Sequence, residues 1–186
     1  MLKEAENFAK LQRTDVNLEA IEKSYQADAD LIKKFIQPKK MLDIGCGIAG
    51  VQVFFPNTEH FLIDKSQIDE DLHYGYYDKG SFYNSLEIAK NNLINEGIKK
   101  EMIHLHEADN KIPFDEKFDL IISLISCGFH YPLETYLTQI YEKLAEGGIF
   151  IADIRRGYQK LENADIFREF EIIKEFRKYD RYLFRK

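Results

Sequence analysis

Apolar residues in this chain gather into short unbroken runs, separated by stretches in which they recur at helical spacing. The runs Met41 to Ile44, His60 to Ile63, Met102 to His106, Phe118 to Ser123 and Ile149 to Ile154 read as strands buried on both faces. Between Leu18 and Ile36 the apolar or aromatic positions are Leu18, Ile21, Tyr25, Ile32 and Ile36, one face of a helix that Pro38 ends. Further helices are predicted at Ser85 to Asn95, Leu133 to Leu144 and Gln159 to Phe170. Such alternation requires crossovers onto a largely parallel sheet. Glu171 to Phe176 and Arg181 to Phe184 follow too closely for a crossover and predict antiparallel neighbours. The expected class is α/β: a mostly parallel sheet of seven strands, helices on both faces, and an antiparallel C-terminal strand.

A length of 186 residues suits a single domain that buries roughly 70% of its unfolded surface. Without repeats or a Pro/Gly/Ser-rich linker, residues 1–186 are read as one unit, with 1–38 a helical cap and 39–186 the core. Asp28 to Phe35 is expected to pack on the sheet, whereas the first fifteen or so residues, with poor periodicity, suit a lid. A formal charge of -6 gives no general attraction to a phosphate backbone, so nucleic acid is not an expected partner. The basic C-terminal stretch, Arg177, Lys178, Arg181, Arg185 and Lys186, reads as solvated charge on the outer face of a hairpin. Cys46 and Cys127 lack metal-ligand spacing, so no metal is expected. A polar N-terminus and the lack of a long apolar stretch predict a cytoplasmic protein without a membrane partner, a monomer or homodimer.

The strongest local signal is Met-Leu-Asp-Ile-Gly-Cys-Gly-Ile-Ala-Gly at 41–50, a strand running into a glycine turn. Gly45, Gly47 and Gly50 spell GxGxxG, and Asp64 ends the next strand about 20 residues on, where a carboxylate can hold ribose hydroxyls. Asp43 turns the reading away from NAD. A carboxylate just before the loop repels a pyrophosphate and attracts a cationic ligand.

These residues resemble the class I S-adenosylmethionine-dependent methyltransferases, and the resemblance runs from Met41 to the end of the chain. LDIGCG is similar to that family's first motif, with Asp43, Gly45, Cys46, Gly47 and Gly50 implied at the cofactor; the family often places glycine where this chain has Ala49. In HFLIDKS, Asp64 matches the acid that grips both ribose hydroxyls, with Lys65 beside it. In HEADNKIPF, Asp109 matches the residue that reads the adenine amino group, next to Asn110. KFDLIIS resembles the fourth strand, whose end lines the methionine moiety near Ser123 and Leu124, and LAEGGIFIADI the turn into the fifth. The resemblance implies a Rossmann-like fold, S-adenosylmethionine as cofactor and S-adenosylhomocysteine as product.

Methyl transfer is an in-line displacement in which a protein chiefly aligns and desolvates, with a base needed when the acceptor is a hydroxyl. His130, after the fourth strand, is the candidate base, and Tyr131 the residue that orients the acceptor. Both stand where open α/β sheets gather ligands. Arg155 and Arg156, past the fifth strand with Asp153, either offer forks for a substrate phosphate or carboxylate or, the reading that the sequence favours, are solvated charge next to Gly157. Tyr74, Tyr76 and Tyr77, in the tyrosine-rich stretch 71–83, suit a ring-stacking substrate pocket. The expected activity is O-methylation of a small molecule: a sugar, a nucleotide-linked sugar or a phosphorylated metabolite. N-methylation of a small amine and a non-catalytic cofactor-binding partner of another enzyme are the alternatives.

Overall fold

The apolar runs pair into one sheet because each can bury both faces only between layers of helix. The computed structural model describes residues 18–66, 85–157 and 161–186. Its strands are β1 (Lys40–Ile44), β2 (Glu59–Asp64), β3 (Ile103–Glu107), β4 (Phe118–Ser123), β5 (Leu144–Arg155), β6 (Glu169–Glu175) and β7 (Tyr179–Arg185). The helices are α1 (Leu18–Lys33), α2 (Leu86–Asn95) and α3 (Glu134–Lys143). Spatial order is β3-β2-β1-β4-β5-β7-β6, with the first five strands parallel and β7 antiparallel to both its neighbours.

Side chains alternate across each strand and so assign each helix a face. Leu42, Phe61, Ile121, Phe150 and Phe184 point to the face covered by Tyr136, Leu137 and Ile140 of α3. On the opposite face, Met41, Leu120, Ile122 and Ile151 meet Ala29 and Ile32 of α1. Leu62 and Ile103 there meet Leu86, Ala89 and Leu93 of α2. The carboxyl ends of β1, β2, β4 and β5 therefore open on one rim.

Two expectations are corrected. The helix predicted over Gln159 to Phe170 is, where described, a 3-10 helix at Leu161–Ile166. Leu161, Ala164 and Phe167 are spaced by three, the repeat of a 3-10 turn. Ala164 and Phe167 are buried, and Phe170 is taken by β6 opposite Phe184. Arg181, read as solvated, is only 1% exposed. Its Nε and Nη2 fork onto Asp153 at 2.7 and 2.9 Å, and its Nη1 reaches Asp28 of α1 at 2.6 Å. This triad ties α1, β5 and β7 together directly under the rim. Residues 1–17 and 67–84, which include the predicted lid and the tyrosine-rich stretch, lie outside the described residues.

Candidate functional site

The loop after β1 takes its shape from left-handed backbone at Gly45 (φ 83°), Gly47 (φ 57°) and Ala49 (φ 58°). Ala49 thus occupies a conformation that glycine adopts without strain, which accounts for glycine being usual there. The loop leans over β2, with Gly45 N–H donating to Ile63 O at 2.7 Å and Gly47 N–H to Asp64 Oδ2 at 2.6 Å. Asn92 of α2 pins its crest by donating to Ile48 O at 2.9 Å.

The three glycines of the motif have different duties. A Cβ on Gly45 would stand 2.0 Å from Ser126 Oγ, so the loop after β4 rests on that bare Cα. At Gly50 the added atom would lie 2.3 Å from the Tyr25 ring, so this glycine seats α1 against the loop. Gly50→Ala will therefore cost about 1–3 kcal/mol in urea unfolding. Combining it with Tyr25→Ala will cost clearly less than the two losses added, because the shortened side chain removes the clash.

Beneath the loop lies Asp43, only 5% exposed. Gln52 donates to its Oδ2, while Oδ1 has no hydrogen-bond partner among the described residues. Burial pushes the Asp43 carboxyl up to about 8, against the pull of Gln52 and helped by the nearby charge of Asp64. Asp64, at the end of β2, accepts from Gly47 N–H through Oδ2 and from Lys65 N–H at 2.7 Å through Oδ1. Burial raises it to about 6. Each of its oxygens keeps a second lone pair for a ligand. Lys65 enters through its backbone, with an exposed side chain. Burial also drives the Cys46 thiol well above its ordinary range, leaving it a packed, inert group.

The loop after β3 is held by α3. Gln139 accepts from Ile112 N–H at 2.9 Å and donates to Asn110 O at 3.0 Å. This arrangement leaves Asp109 exposed on the rim, its carboxyl lowered chiefly by the hydrogen bond with His106. Asn110, left-handed at φ 68°, accepts the Tyr131 hydroxyl. Tyr131 therefore clasps the loop after β3 to the loop after β4, a different use from orienting an acceptor.

Ser123 is fully buried, donating to Ile44 O at 2.7 Å and accepting from Cys127 N–H at 2.9 Å. It fastens the ends of β1 and β4 and has no surface for a ligand. Beyond it, Ile125 is left-handed (φ 55°) and 45% exposed, a strained setting for a β-branched residue. Ser126 O accepts from the N–H groups of Phe129, His130 and Tyr131, winding the loop so that His130 emerges at the rim. Burial, then the charge of Arg155, lowers the imidazole below its ordinary value.

Arg155 and Arg156 part company. Arg156 forks onto Asp180 through Nε at 3.1 Å and Nη2 at 2.8 Å, so its guanidinium is committed within the β6–β7 hairpin. Arg155 lies over the Phe129 ring, 5.4 Å from its centroid. Tyr74, Tyr76 and Tyr77 lie outside the described residues. Gln52 and Gln139 are residues that the sequence reading missed, and Tyr25 was read only as part of the packing face of the first helix. Gln52 was detectable as a lone polar residue between Val51 and Val53, and Gln139 as a polar break in the apolar face of α3.

No protein-family model matches the sequence, and neither does any curated protein; the likeness lies in solved structures. A candidate O-methyltransferase from Nostoc punctiforme superposes with a TM-score of 0.66 at 17% identity, over 89% of this chain and 56% of that one. The fold is that of the class I methyltransferases. The same methyltransferase fold is shared with precorrin 8W decarboxylase from Methanobacterium thermoautotrophicum (TM-score 0.56, 19% identity, 86% of this chain, 88% of that one). It is shared too with the T. thermophilus 16S rRNA N2 methyltransferase solved with AdoMet and guanosine (TM-score 0.58, 13% identity, 94% and 44%). The chain spans little more than half the length of the Nostoc protein and under half that of the rRNA enzyme. Acceptors as different as these show how little the fold alone says of the substrate.

Proposed function

We propose that the chain is an S-adenosylmethionine-dependent methyltransferase acting on a small molecule, with a hydroxyl as the favoured acceptor. The observation that carries this reading is Asp43: a buried carboxylate under a glycine loop, with one oxygen unpartnered among the described residues. A dinucleotide pyrophosphate offers this buried carboxyl no counter-charge on ionising, whereas an α-ammonium supplies both the missing hydrogen bond and the missing charge. Asp64 has lone pairs to spare for two ribose hydroxyls, and Asp109 is open on the rim for an adenine amino group. The residues fit the cofactor.

Bound in this cradle, S-adenosylmethionine supplies a methyl group activated by a sulfonium. The chain has to hold the acceptor in line and take its proton. His130, kept neutral by burial and by Arg155, is able to receive that proton at neutral pH. Cys127, buried and pushed up to about 12, takes no part as a nucleophile.

Calorimetric titration with S-adenosylhomocysteine tests the reading. Because burial raises both carboxyls above the ordinary carboxylate range, Asp43 and Asp64 bind protons more tightly folded than unfolded. Free-protein stability therefore falls as pH rises from about 4 towards 8. A cationic ligand selects the ionised form, so binding near pH 7 will release close to one proton from Asp43. Affinity will rise roughly 50-fold from pH 6 to pH 8, as the fraction of ionised Asp43 grows. Asp43→Asn will flatten that rise. Binding of NADH in place of the homocysteine ligand, or affinity that does not change with pH, would reject the role given to Asp43.

A further inference from the structure

Arg155 is a built feature of the rim and not a loose surface charge. Its backbone N–H donates to Gly128 O at 2.9 Å, locking the end of β5 to the loop that carries His130. Its guanidinium rests on Phe129, whose ring meets Tyr179 edge-on at 5.4 Å. Tyr179 in turn stacks on Phe176 at 4.4 Å, and Phe176 faces the buried Arg181 guanidinium at 5.3 Å. The outer guanidinium is thus held on an aromatic ladder footed in the buried triad, and little side-chain entropy remains to be lost on binding. No carboxylate lies in ion-pair range of Arg155 among the described residues. Two nearby acids are already engaged: Asp153 by Arg181 and Asp180 by Arg156.

We propose that Arg155 and His130 form an anion subsite, so that the methyl acceptor carries a carboxylate or phosphate close to the atom that is methylated. This rests on the methyltransferase reading and narrows it to acidic acceptors. Arg155 forks onto the anion, and Phe129 lies between the Arg155 guanidinium and the His130 ring, whose centroid is 4.6 Å from its own. His130 stands beside the anion, within reach of a neighbouring hydroxyl. The anion also neutralises Arg155, which in the free protein disfavours a charged imidazole. His130 then gains proton affinity as the acceptor arrives, which suits a base that must take a proton from it.

The test is an NMR titration of the histidine imidazoles at constant ionic strength in chloride, with inorganic phosphate or acetate added. The His130 resonance is assigned by its loss in His130→Gln. Phosphate or acetate will raise the His130 midpoint by about half a pH unit or more, and Arg155→Gln will abolish the rise. A response to phosphate alone identifies a phosphorylated acceptor, and one to acetate alone a carboxylated acceptor. If neither anion moves His130 beyond chloride, or the rise survives Arg155→Gln undiminished, the subsite is refuted. Binding of S-adenosylhomocysteine, measured on the same samples and expected to be equal in wild type and Arg155→Gln, reports separately on the methyltransferase reading.

Discussion

Asp64→Ala will weaken S-adenosylhomocysteine binding by about 100- to 10,000-fold, since it removes two hydrogen bonds to a charged acceptor worth about 1.5–3 kcal/mol each. The residue has two attachments to separate. Its carboxylate holds the glycine loop through Gly47 N–H and its own turn through Lys65 N–H, and the spare lone pairs face the ligand. Asp64→Asn separates them. The amide oxygen can keep the Gly47 bond and so the loop shape, but the amide nitrogen then offers a donor where both a second ribose hydroxyl and Lys65 N–H need an acceptor, and the exposed Lys65 N–H turns to water. That variant will lose about tenfold in affinity with thermal stability close to wild type. A loss of less than about threefold in the alanine variant would remove Asp64 from the ribose site. A comparable loss in both variants, with normal unfolding, would show that charge rather than geometry is what the ligand reads.

The sheet was legible because parallel strands covered on both sides leave unbroken apolar runs, and β1, β2 and β4 were placed nearly to the residue. β5 was read too short. It starts at Leu144 within Leu-Ala-Glu-Gly-Gly, where two glycines read as a turn. The sheet keeps that stretch through a bulge opposite Phe118 to Leu120, with Gly147 left-handed and Gly148 too close to the Phe118 carbonyl for a side chain. In the candidate site, Asp43, Asp64 and Asp109 fall near the ends of β1, β2 and β3, where their motifs place them. What those motifs could not express was commitment to distant partners. Arg156 is spent on Asp180, Tyr131 on Asn110 and Ser123 on Ile44, pairings made by the sheet order and not by nearness in the chain. The same applies to Arg181, whose partners stand 28 and 153 residues away.

That distant pairing carries the largest expected change in stability. Arg181→Met will destabilise the protein by about 3–5 kcal/mol, because it leaves the fully buried Asp153 and the largely buried Asp28 without a counter-charge. Burial already pushes the Asp153 carboxyl up, and the forked bonds from Arg181 pull it back. Without the guanidinium the carboxyl stays protonated to higher pH in the folded state than in the unfolded one. The stability lost will therefore be greatest near neutral pH and will shrink as pH falls towards about 4. The triple replacement Asp28→Asn, Asp153→Asn, Arg181→Met will recover most of the loss, since a buried charge network removed whole costs far less than one left unbalanced. Urea unfolding of the two variants at neutral pH and near pH 5 separates unbalanced charge from lost packing. If the triple variant is as unstable as the single one at both pH values, the side-chain volume of Arg181 and its stacking with Phe176 matter more than its charge. Recovery would instead place the charge balance of the triad at the foot of the rim. There the Ile125 backbone helps lower the Asp153 carboxyl, so a shift in its protonation bears on the strained loop that presents His130.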